Sequence, residues 1–332
     1  MRIFVTGGAG FIGSNFIRYV LGTEPGVRVT NYDKLTYAGN LASLQDIDAD
    51  PRYTFVHGDI CDGARLGEAL AGHDAVVNFA AESHVDRSIE HAGEFMLTNC
   101  LGANTLFSAA MRVGIERFLH ISTDEVYGSV EEPATFAERD ALEPSSPYSV
   151  SKASADLLAR AYRVTFGYPI TVTRTTNNFG PYHYPEKAIP LFVTNLLDGE
   201  KVPLYGTGAN VRDWTYVVDN AAAQWLVLTQ GQPGEVYNVG AGNEISNHEL
   251  TTRILARFGL GEEMITHVAD RPGHDLRYAV DATKVRTLGW SPRHSFDEAL
   301  DATIDWYKAN EWWWRPLKRH GASRRQGLVK RQ

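Results

Sequence analysis

The chain has 332 residues, which is enough for about two domains, and its composition is that of an ordinary globular protein. Its formal net charge of −8 argues against nucleic acid or an anionic membrane as the main partner, and no apolar run approaches the roughly 20 residues that cross a bilayer. The start has too short an apolar stretch for a signal peptide, and Cys61 and Cys100 match no metal-ligand spacing, so we expect reduced thiols, no metal site and a cytoplasmic location.

Apolar runs alternate with amphipathic stretches through the first half of the chain, which is typical of a parallel sheet covered by helices. We predict strands near residues 3–6, 27–33, 53–57, 75–79, 117–122 and 170–174, with helices between them. A segment rich in proline and serine, 133–147, predicts a surface loop before a helix that starts near Tyr148. The expected fold class is α/β, a Rossmann-type doubly wound parallel sheet with a smaller C-terminal substrate-binding lobe.

The pattern changes after about Gly180, where prolines and irregular loops become more frequent. We expect a first domain over 1–180, to which 211–240 return as a strand and a helix that begins near Asp219, and a second lobe over 181–210 and 241–315. The aromatic stretch 306–314 favours a helix that buries large side chains over a ligand platform. Six of the 32 basic residues lie in 316–332, which has no acid, so we expect a mobile basic tail.

The first strand leads into a glycine-rich turn, TGGAGFIG at residues 6–13, that opens a helix. Gly7 permits the tight turn, Gly10 lets the backbone approach a diphosphate, and Gly13 lets the helix pack closely on the sheet. Asp33 ends the second strand 20 residues after Gly13, where a carboxylate can bind an adenosine ribose. These features predict a dinucleotide site, and the carboxylate favours NAD over NADP, although the neighbouring Lys34 leaves that choice open.

The segment YSVSK at 148–152 puts a phenol and an ammonium group four residues apart, on one face of a helix. A nearby cation stabilises a phenolate, so we expect Lys152 to lower the pKa of Tyr148 towards a value that is useful for proton abstraction. With NAD bound, such a pair can remove a hydroxyl proton while a hydride leaves the same carbon.

Two adjacent acids follow the fifth predicted strand, in STDEVYG at 122–128. Either Asp124 and Glu125 mark a solvated strand end, or they move protons, because unpaired buried carboxylates are costly. Strand alternation would send them to opposite faces, but the chain is already turning at the end of a strand.

These three motifs occur together with DKLTYAGN (33–40), AAESHVDRSI (80–89), NNFGPYHYPEK (177–187), RDWTYV (212–217) and RPGH (271–274). The set resembles the extended short-chain dehydrogenase/reductase family and, within it, the dTDP-glucose 4,6-dehydratases. The resemblance extends from the start to about Trp314, and the loop between Glu131 and Tyr148 is shorter than in many members. It implies an NAD-dependent hydro-lyase that oxidises the sugar at C4, eliminates water across C5 and C6, and returns the hydride to C6. It also implies that NAD is held tightly.

The resemblance implies roles for individual residues. Thr123, Tyr148 and Lys152 would serve the oxidation, Glu125 would be the base at C5, and Asp124 the acid at C6. The residues implied to bind the cofactor are Gly7, Gly10, Phe11, Ile12, Gly13, Asp33, Lys34, Leu35, Thr36, Asp59, Ile60, Ala80, Ala81, Ser83, Thr98, Tyr148, Lys152 and Asn178. Those implied to bind the nucleotide sugar are His84, Thr123, Asp124, Glu125, Asn177, Lys187, Pro203, Leu204, Tyr205, Arg212, Asn247, Arg271 and His274.

Several alternatives stay open at this point. The chain could be a 4-epimerase or decarboxylase of the same fold, although these relatives generally lack the Thr-Asp-Glu run, or a non-catalytic NAD-binding protein. The preference for thymidine over uridine or cytidine rests on the resemblance alone, and the pathway served is not readable. The family also implies a homodimer through helices around residues 100–113 and 148–166.

Overall fold

The computed structural model describes residues 1–270 and 273–318, and a parallel sheet of seven strands forms its centre. The strands are β1 (Arg2–Thr6), β2 (Arg28–Asp33), β3 (Tyr53–His57), β4 (Ala75–Asn78), β5 (Arg117–Thr123), β6 (Ile170–Thr175), β7 (Asn177–Phe179), β8 (Val202–Tyr205), β9 (Val211–Tyr216), β10 (Val236–Val239), β11 (Glu244–Ser246) and β12 (Ile265–Val268). The order in the large sheet is β10-β6-β5-β4-β1-β2-β3. This order reverses between β1 and β4, which is where open α/β sheets bind their ligands.

Helices cover both faces of this sheet. The α-helices are α1 (Phe11–Thr23), α2 (Gly63–Ala69), α3 (Val85–Glu90), α4 (Ala92–Phe95), α5 (Ala103–Val113), α6 (Pro147–Phe166), α7 (Ala188–Leu197), α8 (Val217–Gln230), α9 (Asn247–Arg257), α10 (Thr283–Thr287) and α11 (Phe296–Ala309). Short 3-10 helices span Leu41–Leu44, Asp124–Tyr127 and Glu262–Met264, a π-helix spans Met96–Gly102, and residues 311–318 are also helical. One core packs α1 and α8 on the sheet, and another packs α2, α5 and α6 on its opposite face.

The expected doubly wound parallel sheet is confirmed, since all six predicted strands pair in parallel. The segment 211–240 divides between the two lobes. Its strand β9 pairs with β7 and β11 in a small separate sheet, and its helix begins at Val217 rather than Asp219. After α8, the strand β10 pairs with β6 as the seventh strand of the large sheet. The exact boundaries between the two lobes stay a prediction.

The second lobe has its own core, which includes the end of the described chain. Tyr307, Trp313 and Trp314 are buried in it, as expected for a helix that packs large side chains. Trp313 also reaches the first lobe, where its Nε1 donates to Ser43 Oγ at 3.1 Å. Residues 316–318 of the predicted tail continue a helix, and Lys318 pairs with Asp198 at 2.6 Å. The remainder of the tail, 319–332, lies outside the described residues.

None of the helices described in the structure is both long and apolar enough to cross a membrane.

Candidate active site

A cavity of about 360 Å³ lies beyond the carboxyl ends of the parallel strands, at the reversal between β1 and β4. Its walls come from the loops that follow β1, β2, β4 and β5, from the first turns of α6, and from the stretch 175–188. The volume is within the usual range of roughly 300 to 1,000 Å³ for small-molecule sites. The motifs that the sequence analysis selected in the first half of the chain therefore meet in one place.

The glycine turn forms a close cradle at one end of the cavity. Gly7 has φ +69°, and a Cβ atom there would lie 2.5 Å from the backbone nitrogen of Ala80. A Cβ on Gly13 would lie 2.4 Å from the Gly7 carbonyl oxygen, so the start of α1 packs directly on the turn. Among the described residues, no side chain caps the N-terminus of α1, which leaves its first N–H groups to bind an anion. The residues present therefore fit a dinucleotide diphosphate.

Asp33 is fixed by the backbone on two sides. Its Oδ2 accepts from the Ala9 N–H at 2.9 Å and its Oδ1 from the Leu35 N–H at 2.8 Å. Burial raises the pKa of Asp33, and these two N–H groups act against that rise. Each carboxylate oxygen still has a lone pair for a ribose hydroxyl. The neighbouring Lys34 pairs with Asp59 at 2.8 Å. Its ammonium group is therefore less available to a 2′-phosphate, which favours NAD over NADP.

The Asp33→Ala variant is expected to bind NAD more weakly by roughly 10- to 100-fold, because a hydrogen bond to a charged group contributes about 1.5–3 kcal/mol. NADP should lose less, since the substitution also removes a charge that repels a 2′-phosphate. Calorimetric titration of both cofactors measures the two losses. Asp33→Asn is the matched control, because it removes the charge but keeps one oxygen that can accept from the backbone N–H groups. Equal losses for NAD and NADP would contradict the assigned role.

Several buried polar atoms on the cavity wall have no hydrogen-bond partner among the described residues. Buried polar groups are nearly always satisfied in native proteins, so these atoms indicate a polar ligand. They are Glu82 Oε2, Ser122 Oγ, Asp124 Oδ2, Asn177 Oδ1, Asn178 Oδ1, His183 Nδ1, Glu186 Oε1 and Trp214 Nε1. Their spread from the glycine turn to the acid pair suits a ligand set made of a dinucleotide and a sugar.

The adjacent acids both line the cavity because β5 ends one residue before them. A 3-10 helix begins at Asp124, and Thr123 caps it by accepting from the Glu125 N–H at 3.3 Å. The Thr123 hydroxyl donates to Asp124 Oδ1 at 3.1 Å. Neighbours in a 3-10 helix are separated by about 120° rather than the 180° of a strand. The turn thus resolves the conflict with strand alternation.

Asp124 has the properties of an acid at neutral pH. Its side chain is buried, and burial together with the nearby Glu125 raises its pKa to about 8. The Thr123 hydroxyl and the Arg212 guanidinium act in the opposite direction. Asp124 therefore stays protonated near pH 7 and can donate a proton.

Tyr148 and Lys152 project from the first turns of α6, which starts with a Ser146 capping box and a proline. Lys152 Nζ donates to the Ile121 carbonyl at 2.5 Å, and burial lowers the pKa of Lys152 to about 8. Burial and the two acids raise the pKa of Tyr148, while the Thr123 hydroxyl lowers it. The expectation that Lys152 lowers the pKa of Tyr148 stays a prediction. The ammonium group of Lys152 donates to a backbone carbonyl, and burial makes its charged form less stable.

The predicted cofactor residues line the cavity with one exception. Leu35 is not on the wall, and its N–H is used by Asp33. Among the predicted sugar-binding residues, His84, Asn177 and Lys187 lie on the wall with the acid pair.

The predicted nucleotide residues of the second lobe are not part of the cavity wall. They are Pro203, Leu204, Tyr205, Arg212, Asn247 and His274, whereas Arg271 lies outside the described residues. The ring of Tyr205 lies 6.1 Å from that of His274, and its hydroxyl donates to Asp86 Oδ2 at 3.1 Å. Arg212 is close enough to Asp124 to lower its pKa. Leu204 is buried.

Some residues on the wall were missed by the sequence analysis. The polar and aromatic ones inside segments that carry the family resemblance are Tyr37, Glu82, Ser122, Tyr182, His183, Tyr184, Glu186 and Trp214, so for these the signal was present. Those outside the segments are Tyr32, Phe79, Thr175 and Thr176. The direction of each side chain in a loop could not be read from spacing.

Comparison with known proteins agrees with this geometry. Residues 4–303 match the family model for GDP-mannose 4,6 dehydratase. The dTDP-glucose 4,6-dehydratase of Streptomyces niveus is 54% identical over 323 residues, which are 96% of each chain. The crystal structure of DesIV, the dTDP-glucose 4,6-dehydratase of Streptomyces venezuelae with NAD bound, is 52% identical, has a TM-score of 0.94 and covers 96% of this chain and 100% of its own. The Thermus thermophilus UDP-glucose 4-epimerase with NAD is 29% identical, with a TM-score of 0.86 and coverage of 93% and 100%. The chain therefore belongs to the GDP-mannose 4,6-dehydratase family and, within it, to the dTDP-glucose 4,6-dehydratases.

Proposed function

We propose that the protein is an NAD-dependent hydro-lyase that converts dTDP-glucose to dTDP-4-keto-6-deoxyglucose. One observation carries this proposal: Thr123, Asp124 and Glu125 share a single cavity with Tyr148 and the glycine turn. Oxidation of a sugar needs the tyrosine and a dinucleotide, but it does not need two acids. Removal of water needs both, one to take a proton and one to give a proton.

NAD would be held by the glycine turn, by Asp33 and by the loop after β4. The chemistry that it supplies when bound is the acceptance of one hydride from the sugar and its later return. Its retention through the cycle agrees with a cradle that closes tightly around Gly7 and Gly13.

The residues of the chain move the protons. Tyr148, next to the Thr123 hydroxyl, takes the proton of the C4 hydroxyl, and Lys152 supports the negative charge on the phenol oxygen. Once C4 is a ketone, the proton on C5 becomes acidic enough for Glu125 to remove it. Asp124, which its pKa of about 8 keeps protonated, protonates the C6 hydroxyl as it leaves. The different environments of the two acids favour this division of roles.

The substrate in this proposal is a nucleotide sugar. Arg212 suits the diphosphate, because a guanidinium group can donate two parallel hydrogen bonds to phosphate oxygens. Lys187, Asn247, Arg271 and His274 would bind the remainder of the nucleotide, with Pro203, Leu204 and Tyr205 at the nucleobase.

Mass spectrometry after incubation with dTDP-glucose tests this function. Loss of one water from the sugar nucleotide is the expected result. An unchanged mass with altered stereochemistry would indicate a 4-epimerase, and unchanged substrate would indicate a binding protein; either result would overturn the proposal. Parallel reactions with UDP-glucose and CDP-glucose test the nucleobase, and we expect both to react more slowly than dTDP-glucose.

The proposed assembly is a homodimer in the cytoplasm, where the free thiols of Cys61 and Cys100 persist. Exposed apolar side chains support the dimer, since they lie on the two helical segments that the resemblance assigns to the interface. They are Leu101 and Val113 on one segment, and Val150, Leu157, Val164 and Phe166 on the other. Apolar groups gathered on one surface mark interaction sites.

The Leu157→Asp variant is expected to shift the protein from dimer to monomer, because the side chain is 58% exposed at the centre of α6 and a charge there cannot be buried without a partner. Light scattering coupled to size exclusion measures the mass. Trp312→Asp is the matched control, because Trp312 is 51% exposed and lies outside both helices. A native protein that is already monomeric would contradict the proposed dimer.

A further inference from the structure

A buried ion pair joins the strand β6 to the helix α6, which carries Tyr148 and Lys152. The pair lies outside the cavity. Arg174 Nε and Asp156 Oδ2 are 2.8 Å apart, and both side chains are almost fully buried. Arg174 Nη1 also donates to the Tyr127 hydroxyl at 2.7 Å and to the Glu138 carbonyl at 3.1 Å. The Tyr127 hydroxyl in turn donates to Asn238 Oδ1 at 2.8 Å. Tyr127 and Glu138 thus hold Arg174, and Arg174 holds Asp156.

Only one oxygen of Asp156 is used in this network. Its Oδ1 is buried and has no hydrogen-bond partner among the described residues. Lys152 lies one turn earlier on α6, on the same face, and is also buried. A carboxylate that is fixed within a turn of a buried ammonium group stabilises the charged form of that group.

We propose that Asp156, held in place by Arg174, is a positioning residue that supplies the buried counter-charge of Lys152. The consequence for catalysis rests on the proposed function, because a charged Lys152 is what supports the phenolate of Tyr148. Asp156 does not touch the cavity, and it acts only through Lys152.

Three other groups near Lys152 in the described part of the chain, on His120, Ile121 and Tyr148, do not provide this charge. His120, on β5, is kept neutral, since burial and Lys152 itself hold its pKa well below the ordinary value. Ile121 offers a backbone carbonyl, which is a dipole without net charge. Tyr148 carries a negative charge only during the reaction. Burial lowers the pKa of Lys152, and Asp156 is the group that raises it.

Direct titration of Lys152 tests the proposal without any substrate. The probe is the NMR signal of its side chain in lysine-labelled protein, assigned by its loss in Lys152→Met. In Asp156→Asn, we expect Lys152 to lose its proton at a lower pH than in the native protein. Asp219→Asn is the matched control: Asp219 is buried and pairs with His294 at 2.9 Å, but its helix α8 packs on the opposite face of the sheet. An unchanged titration of Lys152 in Asp156→Asn would overturn the proposal.

The double variant Asp156→Asn with Arg174→Gln covers the case in which the single variant does not fold, because it leaves no unpaired guanidinium in the core. Lys152 should again titrate at a lower pH. Asp156→Glu keeps the charge and should restore the native titration in part. A double variant that titrates like the native protein would also overturn the proposal.

The pH dependence of one turnover gives a second readout. We expect Asp156→Asn to form the 4-keto sugar nucleotide at a nearly native rate in acid, where Lys152 is charged in both proteins. The deficit should grow with pH to on the order of tenfold, since one unit in a pKa is tenfold in the charged fraction. A deficit of equal size at every pH would show a purely structural role and contradict the proposal. Failure of the proposed function would leave the titration result standing.

Discussion

Glu125→Gln is expected to stop the reaction after oxidation at C4. The amide keeps the shape of the side chain and most of its hydrogen bonds, but it cannot take the proton from C5. Loss of a general base typically slows its step by roughly 10²- to 10⁴-fold. Oxidation by Tyr148 should survive, so a rapid-quench experiment with dTDP-glucose should show the 4-keto nucleotide sugar accumulating on the enzyme. Mass spectrometry should find little water lost and little solvent deuterium at C5.

Asp124→Asn is the matched control, because it changes the neighbouring acid in the same way. The base remains in this variant, so deuterium exchange at C5 should continue while elimination at C6 slows. Dehydration by Glu125→Gln at nearly the native rate would contradict the assignment. So would the reverse pattern, in which Asp124→Asn abolishes exchange and Glu125→Gln leaves it intact.

Tyr148→Phe is expected to slow oxidation at C4 by roughly 10²- to 10⁴-fold, because the variant lacks the phenol oxygen that takes the hydroxyl proton in the proposed mechanism. The ring should keep its position, since it packs edge-on against Phe95 with the centroids 6.3 Å apart. Formation of the 4-keto sugar in a single turnover measures the step. In this variant neither the 4-keto sugar nor the dehydrated product should accumulate, which separates it from Glu125→Gln.

Tyr168→Phe serves as the control for loss of a phenol hydroxyl. Tyr168 packs against the core that includes α6, away from the cavity, and its hydroxyl is buried without a hydrogen-bond partner among the described residues. This variant should oxidise the sugar at the native rate. Near-native turnover by Tyr148→Phe would remove Tyr148 from the mechanism.

Most of the large sheet could be predicted from the sequence, because β1, β4, β5 and β6 contain continuous buried runs and the glycine turn marks the end of β1. The strand β10 was missed. It has only four residues, and it belongs to the sheet because the chain returns after α8, which is a long-range event with no local signal. The strand β9 forms as predicted but pairs outside the large sheet, because a local pattern predicts a strand and not its neighbour.

The candidate site shows a similar division between local and long-range information. Asp33, the acid pair and Tyr148 lie at the ends of strands or at the start of a helix. Short sequence motifs predict such positions well. The effect of Lys152 on Tyr148 could not be predicted from the spacing of the two residues. Lys152 Nζ donates to the Ile121 carbonyl, and Asp156 raises the pKa of Lys152. The positions of Glu82, His183 and Glu186 on the cavity wall could not be predicted for the same reason. Loop side chains take their direction from packing that forms only in the complete fold.

The contact between Trp313 and Ser43 joins residues that are 270 positions apart. Tyr182, on the cavity wall, packs against both Trp306 and Trp313, and the hydroxyl of Tyr307 donates to the carbonyl of His183. A ribosome releases the N-terminal part of a chain first, and domains fold in that order. The glycine turn and the acid pair can thus assemble early in synthesis. The opposite wall is packed only when the last helices, which carry Trp306, Tyr307 and Trp313, have left the ribosome. The nascent chain therefore forms the cofactor-binding turn well before the cavity is complete.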